Sequence, residues 1–149
     1  MKKLNLPPFD YKIKTESSGN RIFDIIRKKY LLLTPEEWVR QHFVHYLIEH
    51  CHYPRSLISV ETGLKYNQLR KRSDIIVYDK SGIPFLLVEC KSANIRISKN
   101  AVFQAATYNQ TVQAPYLVVT NGMGFICART SGEINQLKWL DSLPPFPNS

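Results

Sequence analysis

The fold of this chain is decided by the stretch RKRSDIIVYDKSGIPFLLVECK, residues 70–91. Two short apolar runs, 75–78 and 85–88, are rich in residues that favour β-strands. The segment between them, 79–84, contains the Asp, Ser, Gly and Pro typical of turns. The stretch therefore predicts a β-hairpin.

The register of this hairpin predicts a cluster of charges at its open end. With the turn centred between Ser81 and Gly82, the numbers of opposed residues add up to 163. Asp74 then lies opposite Glu89, at the short separation of a cross-strand pair. Strand side chains alternate between faces, so Glu89 shares a face with Lys91 and with Asp74.

Two carboxylates held this close repel each other, and the pKa of one of them rises unless a positive charge lies nearby. A divalent cation or Lys91 could supply that charge. Magnesium prefers carboxylate oxygens together with water and phosphate, which is the chemistry of metal-assisted phosphodiester hydrolysis. The alternative is a charged strand end with a surface ion pair worth about 0–1 kcal/mol.

Length and composition predict one soluble domain over residues 1–149. We divide it into an N-terminal arm and hairpin (1–33), a core (34–130) and a C-terminal tail (131–149). No apolar run is long enough for a membrane span or a signal peptide, so we expect a cytoplasmic protein without a membrane partner. The cysteines, Cys51, Cys90 and Cys127, are widely spaced and are expected to be reduced and mostly buried.

The net charge of +8 favours a polyanionic partner. The alternative is a solvated basic surface that binds nothing. Basic residues gather in three groups along the chain, the second of which directly precedes Asp74. These groups are Arg27, Lys28 and Lys29; Lys65, Arg70, Lys71 and Arg72; and Arg96 and Lys99.

The first helix has a clear start signal. Thr34 can be the N-cap, Pro35 fits the first helical position, and Glu37 would complete a capping box. The helix is expected to end between residues 50 and 53. Its histidines and the one that follows (His42, His45, His50 and His52) lack metal-ligand spacing and are interpreted as surface or helix-end residues.

The remaining elements alternate with recognisable turns. We expect an irregular arm (1–10), a first hairpin (11–14 with 21–26), an apolar bridge (29–33), strands at 57–61, 115–120 and 125–130, and a helix over 98–112. Asn121-Gly122 is interpreted as a type I′ turn, and 134–143 as a short helix or strand. The order αβββαββ gives an α/β fold: a mixed β-sheet flanked by helices on both sides, preceded by an N-terminal β-hairpin.

This order, with Asp74 and Glu89-Cys90-Lys91 in place, resembles the PD-(D/E)XK nuclease superfamily. Further motifs make the chain similar to the N-terminal nuclease domain of type I restriction enzyme R proteins, in a stand-alone form, over about residues 20–130. These motifs are TPEEWVRQ (34–41), KRSD (71–74), QxxxYN (104–109) and VTNG (119–122). Ser73 stands where the superfamily name has proline. The chain has no P-loop motif, which excludes ATP-driven translocation by this chain alone.

The resemblance implies a restriction-endonuclease-like core and a set of site residues. Asp74, Glu89 and the backbone carbonyl of Cys90 would hold Mg²⁺, with Mn²⁺ as a possible substitute. Lys91 would orient the attacking water or stabilise charge on the phosphate. Glu37 would complete the site as the helix acid and as a further metal ligand, with Glu36 as the alternative helix acid. Gln104 would support the active site. Nucleic acid would be bound by Lys65, Arg70, Lys71, Arg72, Arg96, Lys99 and Tyr108.

Three functions are compatible with these residues. The first is a Mg²⁺-dependent endonuclease acting on DNA in a type I restriction-like system or in DNA processing, with a helicase or specificity subunit as partner. The second is a non-catalytic nucleic-acid-binding module that has a nuclease fold and needs a partner subunit. The third is a metal-free structural protein whose carboxylates pair with Lys91 and with arginines.

Overall fold

The computed structural model describes residues 1–60, 75–131 and 136–148. Within these ranges the chain forms two α-helices, a short 3-10 helix (Arg55–Leu57) and two β-sheets. No helix in the described ranges has both the length and the apolar character that a membrane span requires.

The first sheet, in the described N-terminal region, is an antiparallel meander of β1 (Ile13–Glu16), β2 (Gly19–Asp24) and β3 (Lys29–Leu32). The predicted hairpin is therefore present, but the expected apolar bridge at 29–33 is a third strand. The Asp24 carboxylate accepts hydrogen bonds from the backbone N–H groups of Ile26 and Arg27, and Lys28 adopts a positive φ of 55°. These contacts turn the chain back onto β2.

Helix α1 (Pro35–Glu49) begins where the sequence predicts and ends at Glu49, one residue before the predicted interval, with His50 as its C-cap. The Thr34 hydroxyl accepts a hydrogen bond from the Glu37 N–H at 3.0 Å. The reciprocal half of the capping box is not formed, because the Glu37 carboxylate accepts hydrogen bonds from Arg40 and Gln41 instead. A buried carboxylate gains more from a charged donor than from a backbone amide.

The second sheet positions the candidate site. In spatial order the described strands are β4 (Ile58–Val60), β5 (Ile75–Tyr78), β6 (Pro84–Cys90), β7 (Tyr116–Thr120), β8 (Phe125–Thr130) and β9 (Leu137–Leu140). Strands β6 and β7 are parallel and are joined by helix α2 (Lys99–Val112), whereas the other neighbours are antiparallel. The segment 134–143, expected to be a short helix or strand, contains strand β9. The prediction of a mixed α/β fold is confirmed.

The two helices cover opposite faces of this sheet, as predicted. Val88 and Val118 pack with residues of α1, including Phe43, in one buried cluster. The alternate positions Leu87 and Val119 pack with Val102 and Ala105 of α2 in another. The alternation of side chains along each strand therefore separates an α1 face from an α2 face.

The terminal segments are irregular, as expected, but they pack closely. Leu4 is buried, and the Asn5 N–H donates to the Gly122 carbonyl at 2.8 Å. At the other end, the Tyr53 hydroxyl donates to the Pro144 carbonyl, and the Tyr53 ring contacts Phe146. Both termini thus contribute to the core on the α1 face.

Two smaller expectations need correction. Asn121 does not adopt the positive φ that a type I′ turn requires; the loop has four residues, since Thr120 pairs with Phe125. His42 is buried at 6% exposure, because it packs under Phe9 and Trp38.

The cysteine prediction is confirmed: Cys90 and Cys127 are buried, Cys51 is half-buried, and all are free thiols.

Candidate active site

The hairpin that decides the fold has the predicted register up to the edge of the described residues. Ile75 pairs with Val88, Ile76 with Leu87 and Val77 with Leu86, so the paired numbers add up to 163 in each case. The register shifts only after Val77, at a bulge before the turn. Asp74 lies outside the described residues, and its predicted pairing with Glu89 stays a prediction.

Glu89 and Lys91 are brought together at the end of β6, as predicted. Glu89 lies two residues after Leu87 and therefore on the α2 face. The Lys91 Nζ lies 3.5 Å from Glu89 Oε2, and both side chains are partly exposed. Cys90 is buried and points to the opposite face.

One carboxylate oxygen of Glu89 is in an unusual position. Oε2 is buried and accepts no hydrogen bond from the residues that the structure describes. A buried anionic oxygen without a hydrogen bond is costly, so its compensation rests on the nearby Lys91 ammonium group. Among the described residues Lys91 is the cation beside this oxygen, and a carboxylate oxygen is also a ligand that divalent cations prefer.

Glu37 lies in a different charged cluster, on the α1 side of the sheet. Its carboxylate accepts hydrogen bonds from Arg40 and from Gln41 (2.8 Å), and Arg27 lies 3.6 Å away. Arg27 in turn binds the fully buried Asp24 at 2.7 Å. Glu37 is buried within this cluster, and its approach to Glu89 as the helix acid of the site stays a prediction.

The alternative helix acid, Glu36, accepts a hydrogen bond from Arg40 at 2.9 Å. Across residues 1–60, 75–131 and 136–148, no three His, Cys, Asp or Glu side chains lie close enough to share a metal ion. The metal roles assigned to Glu37 and Glu36 therefore stay predictions.

Helix α2 begins at the same edge of the sheet as the Glu89–Lys91 pair, because it carries the chain from the end of β6 back to the start of β7. Its N-cap is Ser98, the first residue of the predicted helix over 98–112. Gln104 is exposed, whereas Tyr108 is half-buried against the α2 cluster. The supporting role of Gln104 and the DNA contact of Tyr108 stay predictions.

Comparison with known proteins identifies the family. The profile of the family described as type I restriction enzyme R protein N terminus matches residues 35–144 of this 149-residue chain. The chain belongs to this family. The match extends from the start of α1 to beyond β9, so it includes Glu89, Lys91 and α2, while the three-stranded sheet formed by β1–β3 lies outside it.

This R-protein N-terminal domain also resembles the type I restriction enzyme EcoAI endonuclease subunit of Escherichia coli. The two are 34% identical over 79 residues. The aligned part makes up 52% of this chain but only 10% of the relative, so the chain spans about a tenth of the relative's length.

The predicted nucleic-acid contacts of the R-protein domain fall into two groups. Arg96 and Lys99 are exposed directly after the Glu89–Lys91 pair, and the Lys99 Nζ lies 4.8 Å from the centroid of the Trp139 ring. The other basic candidates lie outside the described residues: Lys65, Arg70, Lys71 and Arg72.

Sequence reasoning missed the structural role of Asn121. This side chain is buried and makes three hydrogen bonds, to Ile95, Met123 and Gly124. The sequence signal was present in the VTNG motif, but it was interpreted as a local turn. The bond to Ile95 joins segments that are 26 residues apart, which no local pattern reveals.

Proposed function

We propose that this chain is the nuclease domain of a type I restriction-like system and hydrolyses DNA phosphodiester bonds with the help of Mg²⁺. The observation that carries the proposal is the Glu89 carboxylate at the end of the hairpin. Its Oε2 is buried, accepts no hydrogen bond from the described residues and lies 3.5 Å from the Lys91 Nζ. Family membership supports a nuclease-related role in restriction. A restriction-endonuclease-like core is part of this proposal.

The hairpin register supports Asp74 as the second acid. The pairing of Ile75 with Val88 is the last described step, and one further step in the same register would set Asp74 against Glu89. Two facing carboxylates need a cation to offset their repulsion. Lys91 offsets part of it, and a divalent ion would offset more.

The donor set fits magnesium. Mg²⁺ is bound by one or two carboxylates and keeps several waters, which agrees with Asp74, Glu89 and the Cys90 carbonyl as its protein ligands. When bound, the ion would supply charge stabilisation at the phosphate and lower the pKa of a coordinated water. Mn²⁺ would serve in the same place.

Lys91 would act on the substrate directly. Its ammonium group is a compact point charge on a flexible stem, suited to hold a non-bridging phosphate oxygen or to orient the attacking water. In the absence of substrate it pairs with Glu89. Gln104 and Glu37 are proposed as supporting residues, Glu37 through its bonds to Arg40 and Gln41 rather than through a described contact with Glu89.

DNA as substrate is supported by the net charge of +8 and by the exposed Arg96 and Lys99. The EcoAI relative is an endonuclease subunit about ten times as long as the aligned part. We propose that this chain likewise works beside a helicase or specificity subunit, in the cytoplasm, where DNA is accessible.

Plasmid cleavage tests the proposal. The wild-type chain is incubated with supercoiled plasmid in Mg²⁺, in Mn²⁺ and in EDTA, and nicked and linear products are measured. We expect products with either ion and none in EDTA. Glu89→Gln, Asp74→Asn and Lys91→Ala should each lower the rate by at least about 100-fold, since each removes a group that acts on the transition state.

The matched control is Glu16→Gln, which breaks a surface ion pair with Arg21 in the first sheet and should cleave like the wild type. Wild-type rates in Glu89→Gln or Lys91→Ala would contradict the proposed site. Tight plasmid binding with no product in any ion would favour the alternative function, a non-catalytic DNA-binding module.

A further inference from the structure

The loop that follows Lys91 is anchored beside the candidate site. The Lys91 N–H donates to the Thr120 carbonyl at 2.8 Å, and the Asn121 side-chain amide donates to the Ile95 carbonyl at 2.8 Å. The Ile95 N–H closes a turn onto the Ser92 carbonyl at 3.0 Å. Two consecutive residues, Thr120 and Asn121, thus hold the backbone of both Lys91 and Ile95.

Asn121 is well suited to hold this loop in one place. It is 8% exposed, and its Oδ1 accepts hydrogen bonds from the N–H groups of Met123 and Gly124. Every polar atom of the side chain is therefore used, and the amide orientation is fixed by its two acceptor bonds. A buried and fully bonded amide holds its partner segment rigidly.

The anchored loop exposes an isoleucine and an arginine. Ala93 packs against the α1-face cluster and Ile97 against the α2-face cluster, which fixes the loop on both sides. Between them, Ile95 is 50% exposed, and Arg96 is exposed with no carboxylate of the described residues within ion-pair distance. Ile95 is therefore exposed although the backbone of its turn is held in place by hydrogen bonds and packing.

Lysines precede and follow this turn along the chain, and a third lies near its start. Lys2 lines a small cleft of about 170 Å³ together with Ala93 and Asn94. Lys91 precedes the turn and Lys99 follows it. An exposed apolar side chain that cationic residues flank along the chain is complementary to duplex DNA, whose phosphates flank a groove with apolar sugar and base surfaces.

We propose that Ile95 and Arg96 form an element that enters a groove of duplex DNA, with Ile95 against the sugars or a base step and Arg96 on the phosphates. Asn121 is the positioning residue that holds this element next to Lys91. The inference rests on the proposed function for its choice of DNA as partner, and it adds the residues that would seat the duplex on the site.

Duplex binding by the full chain tests this inference separately from cleavage. The affinity for a fluorescently labelled duplex of about two helical turns is measured by anisotropy in EDTA, over a series of salt concentrations. We expect Ile95→Ala to weaken binding roughly tenfold without changing the salt dependence, because an apolar contact releases no counterions. Arg96→Gln should lower the slope of log affinity against log salt by about 1.

The chain offers matched controls at the opposite end of β6. Ile83 is 58% exposed in the β5–β6 turn, and Lys80 is exposed in the same turn. Ile83→Ala and Lys80→Gln make the same kinds of change far from the candidate site, and both should bind like the wild type. Equal losses from Ile83→Ala and Ile95→Ala would overturn the inference, as would wild-type affinity in Ile95→Ala.

The positioning role of Asn121 is tested by a double-mutant cycle. Asn121→Asp keeps the acceptor bonds to Met123 and Gly124 and loses the donor to Ile95. It should weaken duplex binding in the wild-type background and add little in the Ile95→Ala/Arg96→Gln background, in which the contacts of the element are already lost. Additive losses would assign the effect to the added charge alone and would overturn the positioning role. A cooperative urea-unfolding transition would show that each variant is folded.

The outcomes separate this inference from the proposed function. Specific loss of binding in Ile95→Ala, in a chain that never cleaves, would support the DNA-contacting element while overturning the nuclease. If the wild-type chain cleaves plasmid but Ile95→Ala and Arg96→Gln bind duplex like the wild type, the nuclease would be supported and the DNA-contacting element overturned. Absence of duplex binding by the wild type, or equal loss of single-strand and duplex binding in Ile95→Ala, would overturn the groove contact.

Discussion

Gly122 connects the N-terminal arm to the end of the sheet that carries the site. It has a φ of +80°, and a Cβ at this position would lie 2.9 Å from Leu4 Cδ1. We expect Gly122→Ala to lower the free energy of unfolding by about 2–3 kcal/mol, from backbone strain together with the displacement of Leu4. Urea unfolding followed by fluorescence measures this loss.

Gly82 is the matched control, because its φ is +81° and nothing lies within 4 Å of the position of an added Cβ. Gly82→Ala should cost about 1 kcal/mol, from backbone strain alone. If both substitutions cost the same, the packing of Leu4 against Gly122 contributes nothing to stability.

At the residue scale, the sequence predicts side-chain contacts that follow from the alternation of residues along one strand. It misses side-chain contacts that depend on tertiary packing. Glu89 and Lys91 are two apart on one strand, so their contact follows from local alternation. Two partners of Glu37, Arg40 and Gln41, are one helical turn away and are also local. Arg27 is not, since it arrives from the turn between β2 and β3. The same holds for Asn121 and Ile95.

Helix α1 carries a titratable group inside its packed face. The His42 Nδ1 lies 2.8 Å from the Trp38 carbonyl, and the His42 ring packs against Phe9 and Trp38. Burial lowers the pKa of His42 below its ordinary value of 6.5, the bond to the Trp38 carbonyl opposes this, and the neighbouring His45 lowers the pKa further.

This lowered pKa predicts an acid-sensitive step in stability. The unfolded chain takes up the His42 proton near pH 6.5, whereas the folded chain takes it up only at lower pH. The contribution is therefore complete above pH 6.5 and is lost as the pH falls through the interval below it. The free energy of unfolding, measured by urea denaturation between about pH 7.5 and pH 5, should fall with acid.

His42→Gln should flatten this dependence, because it removes the titrating ring. His50→Gln changes an exposed histidine at the end of the same helix and should leave the dependence as it is. A wild-type profile that stays flat across the interval, or one that His50→Gln flattens equally, would contradict the account of His42.

At the element scale, helix starts and the central hairpin were predictable, but two connections were not. Thr34 and Ser98 are the caps that the sequence indicates, because capping is a local interaction. Strand β3 was missed since its turn depends on Lys28, a non-glycine residue with positive φ. The turn at Asn121 was misassigned because the side chain serves a tertiary contact.

Over the whole molecule, the two faces of the second sheet serve different purposes. The α1 face is closed by the N-terminal arm, Ile22 of the first sheet and the C-terminal tail, through residues such as Leu4 and Phe146. The Glu89–Lys91 end lies on the α2 face, beside the anchored turn that exposes Ile95. The proposed chemistry thus lies on the face opposite the packed termini, so variants of the terminal contacts should spare it.

The central claim is that Glu89 and Asp74 hold a divalent ion against a phosphate, and a crystal of the chain grown with Mn²⁺ tests it most directly. We expect an anomalous peak within about 2.0–2.3 Å of a carboxylate oxygen from each acid, the range for small divalent ions, with Lys91 turned away from Glu89 Oε2. A map with no peak at Glu89, and with Lys91 still paired to its carboxylate, would contradict the account.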